Sequence, residues 1–173
     1  MYRHKISSVR GVTLIELLVV MIIASILAAL AIPTLGELIS RTRQTSVLGQ
    51  LSTDLSRARS EAIKRNMRVL VCVRGNDTTC GTSSSNWRNG WLVCFDADSN
   101  DACDTTTTSN PNPIVVKQQI NTNVTLDGPA SVIRFYPSGI NGSGAVFFTV
   151  GGTWVGAKNK LINIAATGNI TKP

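Results

Sequence analysis

One carboxylate stands at the start of a long apolar run, where a charge is costly. Glu16 is followed by sixteen residues, Leu17 to Ile32, that contain no charged side chain. An acid inside a segment of this kind usually has a partner of opposite charge, and such a pair marks a functional site. Glu16 is therefore a candidate functional residue, whose partner the apolar segment itself does not contain.

The four cysteines are the second group whose spacing could do chemistry. Cys72, Cys80, Cys94 and Cys103 all follow the apolar run, and an even number in an exported domain predicts two disulfides. We favour Cys72 with Cys80 and Cys94 with Cys103, because each pair flanks a turn-rich segment. Cys72 with Cys94 is the rival if their strands are neighbours. No CxxC pair is present and the only histidine precedes the apolar run, so we predict no zinc site. Calcium at the acidic turn Asp96 to Asp101 is a minority alternative, because this turn lacks the glycine and the later glutamate of an EF-hand loop. We predict no metal and no cofactor.

The only histidine, His4, precedes the apolar run. A Ser-His-Asp or Cys-His arrangement needs a histidine, so the part of the chain after the run cannot build one. We therefore predict a chain that is not an enzyme.

The apolar run, residues 12–35, has the length of a membrane span. As a helix its 24 residues measure about 36 Å, which exceeds the roughly 30 Å thickness of the hydrocarbon layer. Arg3, Lys5 and Arg10 precede it without an acid, so we expect the N-terminus in the cytoplasm and the rest of the chain on the far side.

An ordinary signal peptide is the alternative interpretation of this segment. Ala29 to Ala31 would serve as its cleavage site and would release a chain that begins at Ile32. Glu16 inside the apolar core speaks against it, as does a helical pattern that continues beyond Pro33.

The helix is predicted to continue as an amphipathic segment over residues 36–66. One apolar stripe recurs there at spacings of three and four: Leu48, Leu51, Leu55, Ala58 and Ala62. Residues 37–45 lack the stripe and are polar, so we expect them to protrude from the domain or to meet other subunits.

Residues 67–173 alternate as strands do and are predicted to form a β-rich head domain. The predicted strands are 69–73, 91–95, 114–119, 132–136, 146–150 and 161–165, separated by turn residues. A helix followed by strands indicates an α+β domain whose antiparallel sheet covers the apolar stripe. Trp87 and Trp91 are predicted to be core or loop-anchoring residues.

The N-terminus resembles that of type IV prepilins and type II secretion pseudopilins. The resemblance rests on the basic leader, Gly11, the segment Thr13 to Glu16 and the apolar helix that follows. It implies that a prepilin peptidase cuts off residues 1–11 and methylates the new amine of Val12. It also implies that Glu16 neutralises the amine of a neighbouring subunit in the filament, which gives this acid its partner.

The rest of the chain is similar to the GspH/FimT group of minor pilins. Three stretches carry the similarity: Ala58 to Asn66 running into Cys72, Trp87 to Val93, and Phe135 to Gly139, together with a terminal strand leading to Thr167-Gly168. The resemblance implies a type IV pilin fold, with a long N-terminal helix packed on the head domain, and a FimU/FimT-like minor pilin at or near a pilus tip. Its partners would be other minor pilins, the major pilin and the inner-membrane assembly platform. Its location would be the inner membrane and then the pilus surface.

Two alternatives share this resemblance. One is a minor pseudopilin of a type II secretion system. The other is a FimT-like pilin that binds DNA for natural transformation, with Lys158, Lys160 and Lys172 as the DNA contacts. Arginine is absent from the stretch that follows Gly168. Removal of the leader also lowers the net charge from +7 to +4, because the leader contains three of the 17 basic residues and none of the acids. Phosphate contact depends on clustered bases, so DNA binding is the weaker alternative.

Overall fold

A computed structural model describes residues 11–82, 87–106 and 111–172, without the side chains of residues 30–34. The first ten residues of the predicted leader lie outside this part of the chain. The chain divides into two compact units, Met1–Leu38 and Ile39–Pro173. All the buried hydrophobic residues of the described chain belong to the second unit, which therefore has a core of its own.

The first element is one long helix, α1, which spans Leu14–Arg65. It ends at Asn66, whose φ of 51° is left-handed, and the Met67 N–H donates to the Ala62 carbonyl at 3.2 Å. An asparagine in this conformation is a common helix stop, because its short polar side chain tolerates the left-handed region. The bounds agree with the predicted helix of residues 12–66 to within two residues.

The predicted apolar stripe is the face of α1 that packs on the sheets. Its five residues are all buried: Leu48, Leu51, Leu55, Ala58 and Ala62. The expectation that residues 37–45 protrude is wrong for Ser40 and Gln44, which are also buried. Gln44 Nε2 donates to the carbonyls of Val150 at 2.8 Å and Lys158 at 2.7 Å. Gln44 is tolerated in a buried position because its amide N–H groups are satisfied by these two carbonyls.

Within the described residues, eight strands form two four-stranded antiparallel sheets. The first sheet has the order β3-β2-β1-β5, with β1 at Val69–Val73, β2 at Trp91–Phe95, β3 at Val115–Lys117 and β5 at Val132–Phe135. The second has the order β4-β6-β7-β8, with β4 at Val124–Asp127, β6 at Val146–Gly152, β7 at Lys160–Ile164 and β8 at Ile170–Thr171. This arrangement confirms the predicted α+β class.

The first sheet is buried on both faces at its centre. Val69, Val71 and Val93 join the main core, whereas Leu70 and Leu92 point to the other face and form a second, smaller cluster. Burial on both sides explains why β1 and β2 are continuous apolar runs rather than alternating ones.

Two disulfides cover this second cluster, and they have the favoured connectivity. Cys72 is bonded to Cys80 and Cys94 to Cys103, with Cα–Cα distances of 5.6 and 5.4 Å. The rival Cys72–Cys94 bond is absent even though β1 and β2 are neighbours, because the register places Cys72 opposite Leu92. The two bridges lie side by side, with the sulfurs of Cys80 and Cys103 3.7 Å apart.

Both tryptophans of the predicted core are fully buried and hydrogen-bonded through the indole. Trp87, in the 3-10 turn Trp87–Asn89 before β2, donates from Nε1 to the Ala130 carbonyl at 2.9 Å and packs edge-on against Phe148. Trp91 donates from Nε1 to Asp54 Oδ2 at 2.9 Å. The second bond ties β2 to α1.

Burial raises the pKa of Asp54, although the hydrogen bond from Trp91 acts in the opposite direction. A raised folded-state pKa means that the fold disfavours the charged carboxylate. The protonated carboxyl group therefore stabilises the fold at low pH, and this stabilisation is lost as the pH rises through the folded-state pKa. At neutral pH the useful property of Asp54 is therefore its acceptor oxygen rather than its charge.

We expect Asp54→Asn to leave stability at pH 7 unchanged or higher, since the amide oxygen still accepts from Trp91 and no charge is buried. Asp54→Ala should lower the free energy of unfolding by about 1–3 kcal/mol, because the buried Trp91 N–H loses its acceptor. Urea unfolding of both variants measures the difference. Equal destabilisation by the two changes would show that the hydrogen bond to Trp91 is not what Asp54 supplies.

Candidate processing and assembly site

The predicted cleavage bond lies outside the helix. Gly11, Val12 and Thr13 have no regular secondary structure, and α1 begins at Leu14. Gly11 and Val12 are both exposed. An exposed, non-helical segment is the kind of backbone that a peptidase can reach, so the structure presents the Gly11–Val12 bond in a form compatible with cleavage.

Thr13 caps the helix, and Glu16 sits in its first turn. Thr13 Oγ1 accepts from the Glu16 N–H at 3.3 Å, and its carbonyl accepts from the Leu17 N–H at 3.2 Å. A threonine cap followed three residues later by glutamate is the pattern of a capping box, and an acid in the first turn also interacts favourably with the helix dipole. Glu16 therefore also has a local role at the start of α1. The sequence analysis did not assign this role, although the spacing Thr13-x-x-Glu16 indicates it.

The side chains that surround Glu16 along α1 are apolar and uncovered in the single chain. Leu14 is 82% exposed and Ile15 65%, and large apolar residues remain exposed as far as Leu27. A contiguous apolar surface of this extent indicates a site that another surface covers. A membrane-crossing helix was not found: within the described part of the chain, none combines the length and the apolarity required.

The three lysines considered for DNA contact are all tied to the neighbourhood of α1. Lys160 Nζ donates to Thr45 Oγ1 at 2.9 Å, and the Lys158 carbonyl accepts from Gln44. Lys172 lines a surface cleft together with Asp54. Each of the three lysines thus lies near α1, and the Lys160 amine is already engaged.

The scattered arginines of the head domain have structural partners. Arg74 pairs with Asp77 at 3.1 Å, and Arg88 Nη2 donates to the Thr122 carbonyl at 3.2 Å. Arg134 makes two hydrogen bonds to Asp101, of 2.8 and 2.7 Å. All three guanidinium groups are thus engaged within the head domain, and we assign no phosphate-binding patch to them.

An acidic loop between β2 and β3 is closed by the Cys94–Cys103 bridge. Asp96 is fully buried and pairs with Arg68, and its two oxygens also accept the N–H groups of Asn100 and Asp101 at 3.0 and 3.1 Å. Among the described residues, two groups have a metal-compatible spacing: the four cysteines, and Asp96 with Asp98 and Asp104. The cysteines are all oxidised, and each of the three carboxylates already accepts hydrogen bonds from the loop. We assign no metal to either group.

Asp101 joins this loop to the sheet. Hydrogen bonds from Arg134 lower the pKa of Asp101, and the charges of Arg134 and Arg68 act in the same direction. A lowered folded-state pKa contributes stability that is present above the unfolded pKa, near 3.8, and is lost as the pH falls through the folded value.

We expect Asp101→Asn to destabilise the protein at pH 7 by less than about 1 kcal/mol, since Asp101 is 43% exposed and water screens the pair. The difference from the unmodified chain should shrink below pH 4. Thermal unfolding of both proteins at pH 7, 4 and 3 checks this. A difference that stays constant across the three pH values would contradict the assigned ion pair.

Arg59 brings together three of the stretches that carried the family resemblance. Its Nε donates to the Gly139 carbonyl at 2.9 Å, and its Nη2 donates to the Thr167 carbonyl at 3.2 Å. Gly168 packs against the same turn: a Cβ at that position would lie 1.9 Å from the Gly139 carbonyl oxygen. The end of α1, the turn after β5 and the turn before β8 thus meet at one junction, which sequence reasoning did not locate.

The profile of the family described as "Type II transport protein GspH" matches residues 48–168, which is more than half of the chain and contains this junction. The chain belongs to the GspH family. A second profile, the prokaryotic N-terminal methylation motif, matches residues 6–32, which include Gly11, Val12 and Glu16. The two matches confirm the suspected membership in the type IV minor pilin and pseudopilin group.

Two solved structures are similar to the chain, both of the type IV minor pilin FimU of Pseudomonas aeruginosa strain PAO1. The first, in space group P21, has a TM-score of 0.54 at 16% identity and covers 77% of this chain and 90% of its own. The second, in space group P65, has a TM-score of 0.51 at 17% identity and covers 75% and 91%. A search of curated protein sequences returned no match. The structural similarity confirms the predicted type IV pilin fold.

Proposed function

We propose that this GspH-family chain is a minor pilin incorporated in or near the tip of a type IV pilus, where it supports pilus assembly through contacts with other pilins. The observation that carries the proposal is the N-terminal segment: an exposed Gly11–Val12 bond followed by Glu16 on an uncovered apolar helix. Those features suit a chain that is cut, then packed by its helix among other helices. The role is structural rather than enzymatic.

The mechanism has three steps in this proposal. The prepilin peptidase cuts after Gly11 and methylates Val12, which frees a positive amine. The apolar part of α1 then leaves the inner membrane for the filament core, where Glu16 neutralises the amine of a neighbouring subunit. The disulfide-bonded head presents its sides to other minor pilins and to the major pilin. The inner-membrane location before assembly rests on the sequence pattern of basic leader and apolar run.

A minor pseudopilin of a type II secretion system is the second candidate, and the description of the matching family profile favours it. Deletion of the gene separates the two. Loss of surface pili with normal protein secretion supports the pilus role, and complementation by the intact gene should restore piliation. Normal piliation with secretion lost would assign the chain to the secretion system.

DNA capture is tested with Lys158 and Lys160. If it were the function, the Ile39–Pro173 unit would bind duplex DNA in a salt-dependent way and would lose binding on charge reversal at both lysines. We expect no retention of the unit on duplex DNA at low salt, because Lys160 is engaged with Thr45 and arginine is absent after Gly168.

A further inference from the structure

The two disulfides lie so close together that their four sulfurs form one cluster. All four Sγ atoms lie within 4.8 Å of one another, and those of Cys80 and Cys103, which belong to different bridges, are 3.7 Å apart. Two sulfurs at that distance leave no room for another atom between them. A thiolate exchanges with a disulfide by attacking one of its sulfurs directly. Each bridge is therefore within reach of a thiolate released from the other.

Burial divides the four cysteines into an inner and an outer pair. Cys72 on β1 and Cys94 on β2 are fully buried, whereas Cys80 and Cys103 are only partly buried. The inner two occupy diagonal positions on one face of the sheet, because Cys72 lies opposite Leu92. A thiol in solution therefore meets the outer pair first, and the inner pair reacts only with sulfurs of the cluster.

A surface cavity gives access to the outer pair at Cys103. The cavity has a volume of about 550 Å³, and its wall includes Cys103, Phe95, Ala97 and Asp98. A space of this size accepts a small molecule. A small thiol can therefore approach Cys103 while the strands stay folded.

We propose that the four cysteines form one thiol-exchange site, at which a small thiol converts the two bridges into Cys80–Cys103 and Cys72–Cys94. The incoming thiolate bonds to the Cys103 sulfur, and the electron pair of the Cys94–Cys103 bond leaves on Cys94. The Cys94 thiolate attacks Cys72 and releases Cys80 as a thiolate, which attacks Cys103 and expels the incoming thiol. Two disulfides are present before and after, so nothing is oxidised or reduced overall, and the expelled thiol recovers its proton.

The exchange changes which segments the bridges hold. The Cys94–Cys103 bridge closes the acidic loop on β2, and after exchange that loop is joined through Cys80 to the loop that follows β1. The strands keep their register, because Cys72 and Cys94 lie on the same face of neighbouring strands. The site does not depend on the proposed function, since it is the same in a pilin and in a pseudopilin.

The first test uses a Cys72→Ser chain, which leaves Cys80 as a free thiol beside the Cys94–Cys103 bridge. The full-length chain is held in detergent at mildly alkaline pH without added thiol, and free thiols are then blocked with N-ethylmaleimide. Trypsin and endoproteinase Asp-N place the three remaining cysteines on separate peptides, because Arg88 and Asp101 lie between them. Mass spectrometry then identifies each bridge.

We expect the folded chain to contain Cys80–Cys103 at more than about a tenth of the amount of Cys94–Cys103. One disulfide replaces another, and a tenfold ratio corresponds to only about 1.4 kcal/mol. The control is the same chain in urea, where Cys80–Cys103 should be the rarest bridge because it closes the longest of the three loops. Absence of Cys80–Cys103 from the folded chain, or the same proportions with and without urea, would overturn the inference.

The second test keeps all four cysteines and examines the entry of the thiol. The oxidised chain is treated with substoichiometric 2-mercaptoethanol, and the two exchanged bridges should appear together. Ala97→Trp fills the wall of the cavity at an exposed position and should slow their appearance several-fold. The matched control is Ala102→Trp, which is exposed in the same loop but outside the cavity wall and should leave the rate unchanged.

Three results of this second test would overturn the inference. They are the absence of exchanged bridges, equal amounts of the exchanged pairing and of the pairing Cys72–Cys103 with Cys80–Cys94, and equal slowing by the two tryptophans. Because the second test needs no cysteine substitution, it decides the matter even if the Cys72→Ser chain does not fold.

Discussion

Glu16→Gln is expected to remove this chain from filaments while leaving it cleaved and in the membrane. In the filament core the methylated amine of Val12 on one subunit would lie in apolar surroundings, with Glu16 of another as its counter-charge. Removing one partner of a buried ion pair costs about 3–5 kcal/mol. Since every 1.4 kcal/mol is a factor of ten, incorporation should fall by more than about a hundredfold. The amount of chain in sheared filaments, measured against the amount in the membrane, reports this.

Glutamine is the informative substitution because the structure gives Glu16 a second role. Thr13 and Glu16 have the spacing of a capping box, and glutamine is as good as glutamate at the third helical position of that motif. Glu16→Gln therefore removes the charge and keeps the cap, whereas Glu16→Ala removes both. If the two variants are excluded from filaments equally, the charge is what matters. Normal incorporation of Glu16→Gln would show that the charge is not needed for assembly and that the role of Glu16 is to cap the helix.

Gly168→Ala should be among the most damaging small substitutions in the head domain. Gly168 has a φ of +79°, which costs an alanine about 1–2 kcal/mol, and the added Cβ would lie 1.9 Å from the backbone oxygen of Gly139. A backbone atom cannot rotate away, so the junction with Arg59 must open. We expect the free energy of unfolding to fall by about 4 kcal/mol, near the upper end for a single substitution.

Gly144→Ala is the matched control for this experiment. Gly144 has a similar φ of +76°, but a Cβ there would meet no atom within 4 Å. It should therefore lose only the conformational part, about 1–2 kcal/mol. Urea unfolding of the Ile39–Pro173 unit gives both values. If both substitutions lower the free energy of unfolding equally, the contact between Gly168 and Gly139 does not contribute to stability.

The parts of the fold that could be predicted from the sequence are those in which a single physical effect determines the local residue pattern. The stripe from Leu48 to Ala62 was visible because hydrophobic burial sets the periodicity of a packed helix. β1 and β2 were visible because burial on both faces makes them continuous apolar runs. The favoured disulfides followed from the loops that they close.

Other features depend on long-range contacts that local patterns do not encode. β4 and β8 have four and two residues, too few to show a period, and they exist because β6 and β7 offer them partners. Gln44 lies in a segment that was expected to protrude, yet it is buried and donates to two carbonyls more than 100 residues away. Lys160 looked free, and only the packing of the hairpin on α1 places Thr45 within its reach.

The N-terminal segment shows the opposite limit. Its motif predicts Gly11 and Val12 as processing residues and Glu16 as the assembly residue. A single chain contains no neighbour for Glu16 and no membrane for the apolar run. The structure could add only the local facts: a non-helical cleavage bond, a capped helix and uncovered apolar side chains.

The most direct test of the proposed function is the intact mass of the chain recovered from purified filaments. We expect a chain that begins at Val12, with one methyl group on its amine and both disulfides formed. A chain that begins at Ile32, or one that retains Met1 to Gly11, would contradict it, as would the absence of the chain from filaments made by cells that express it.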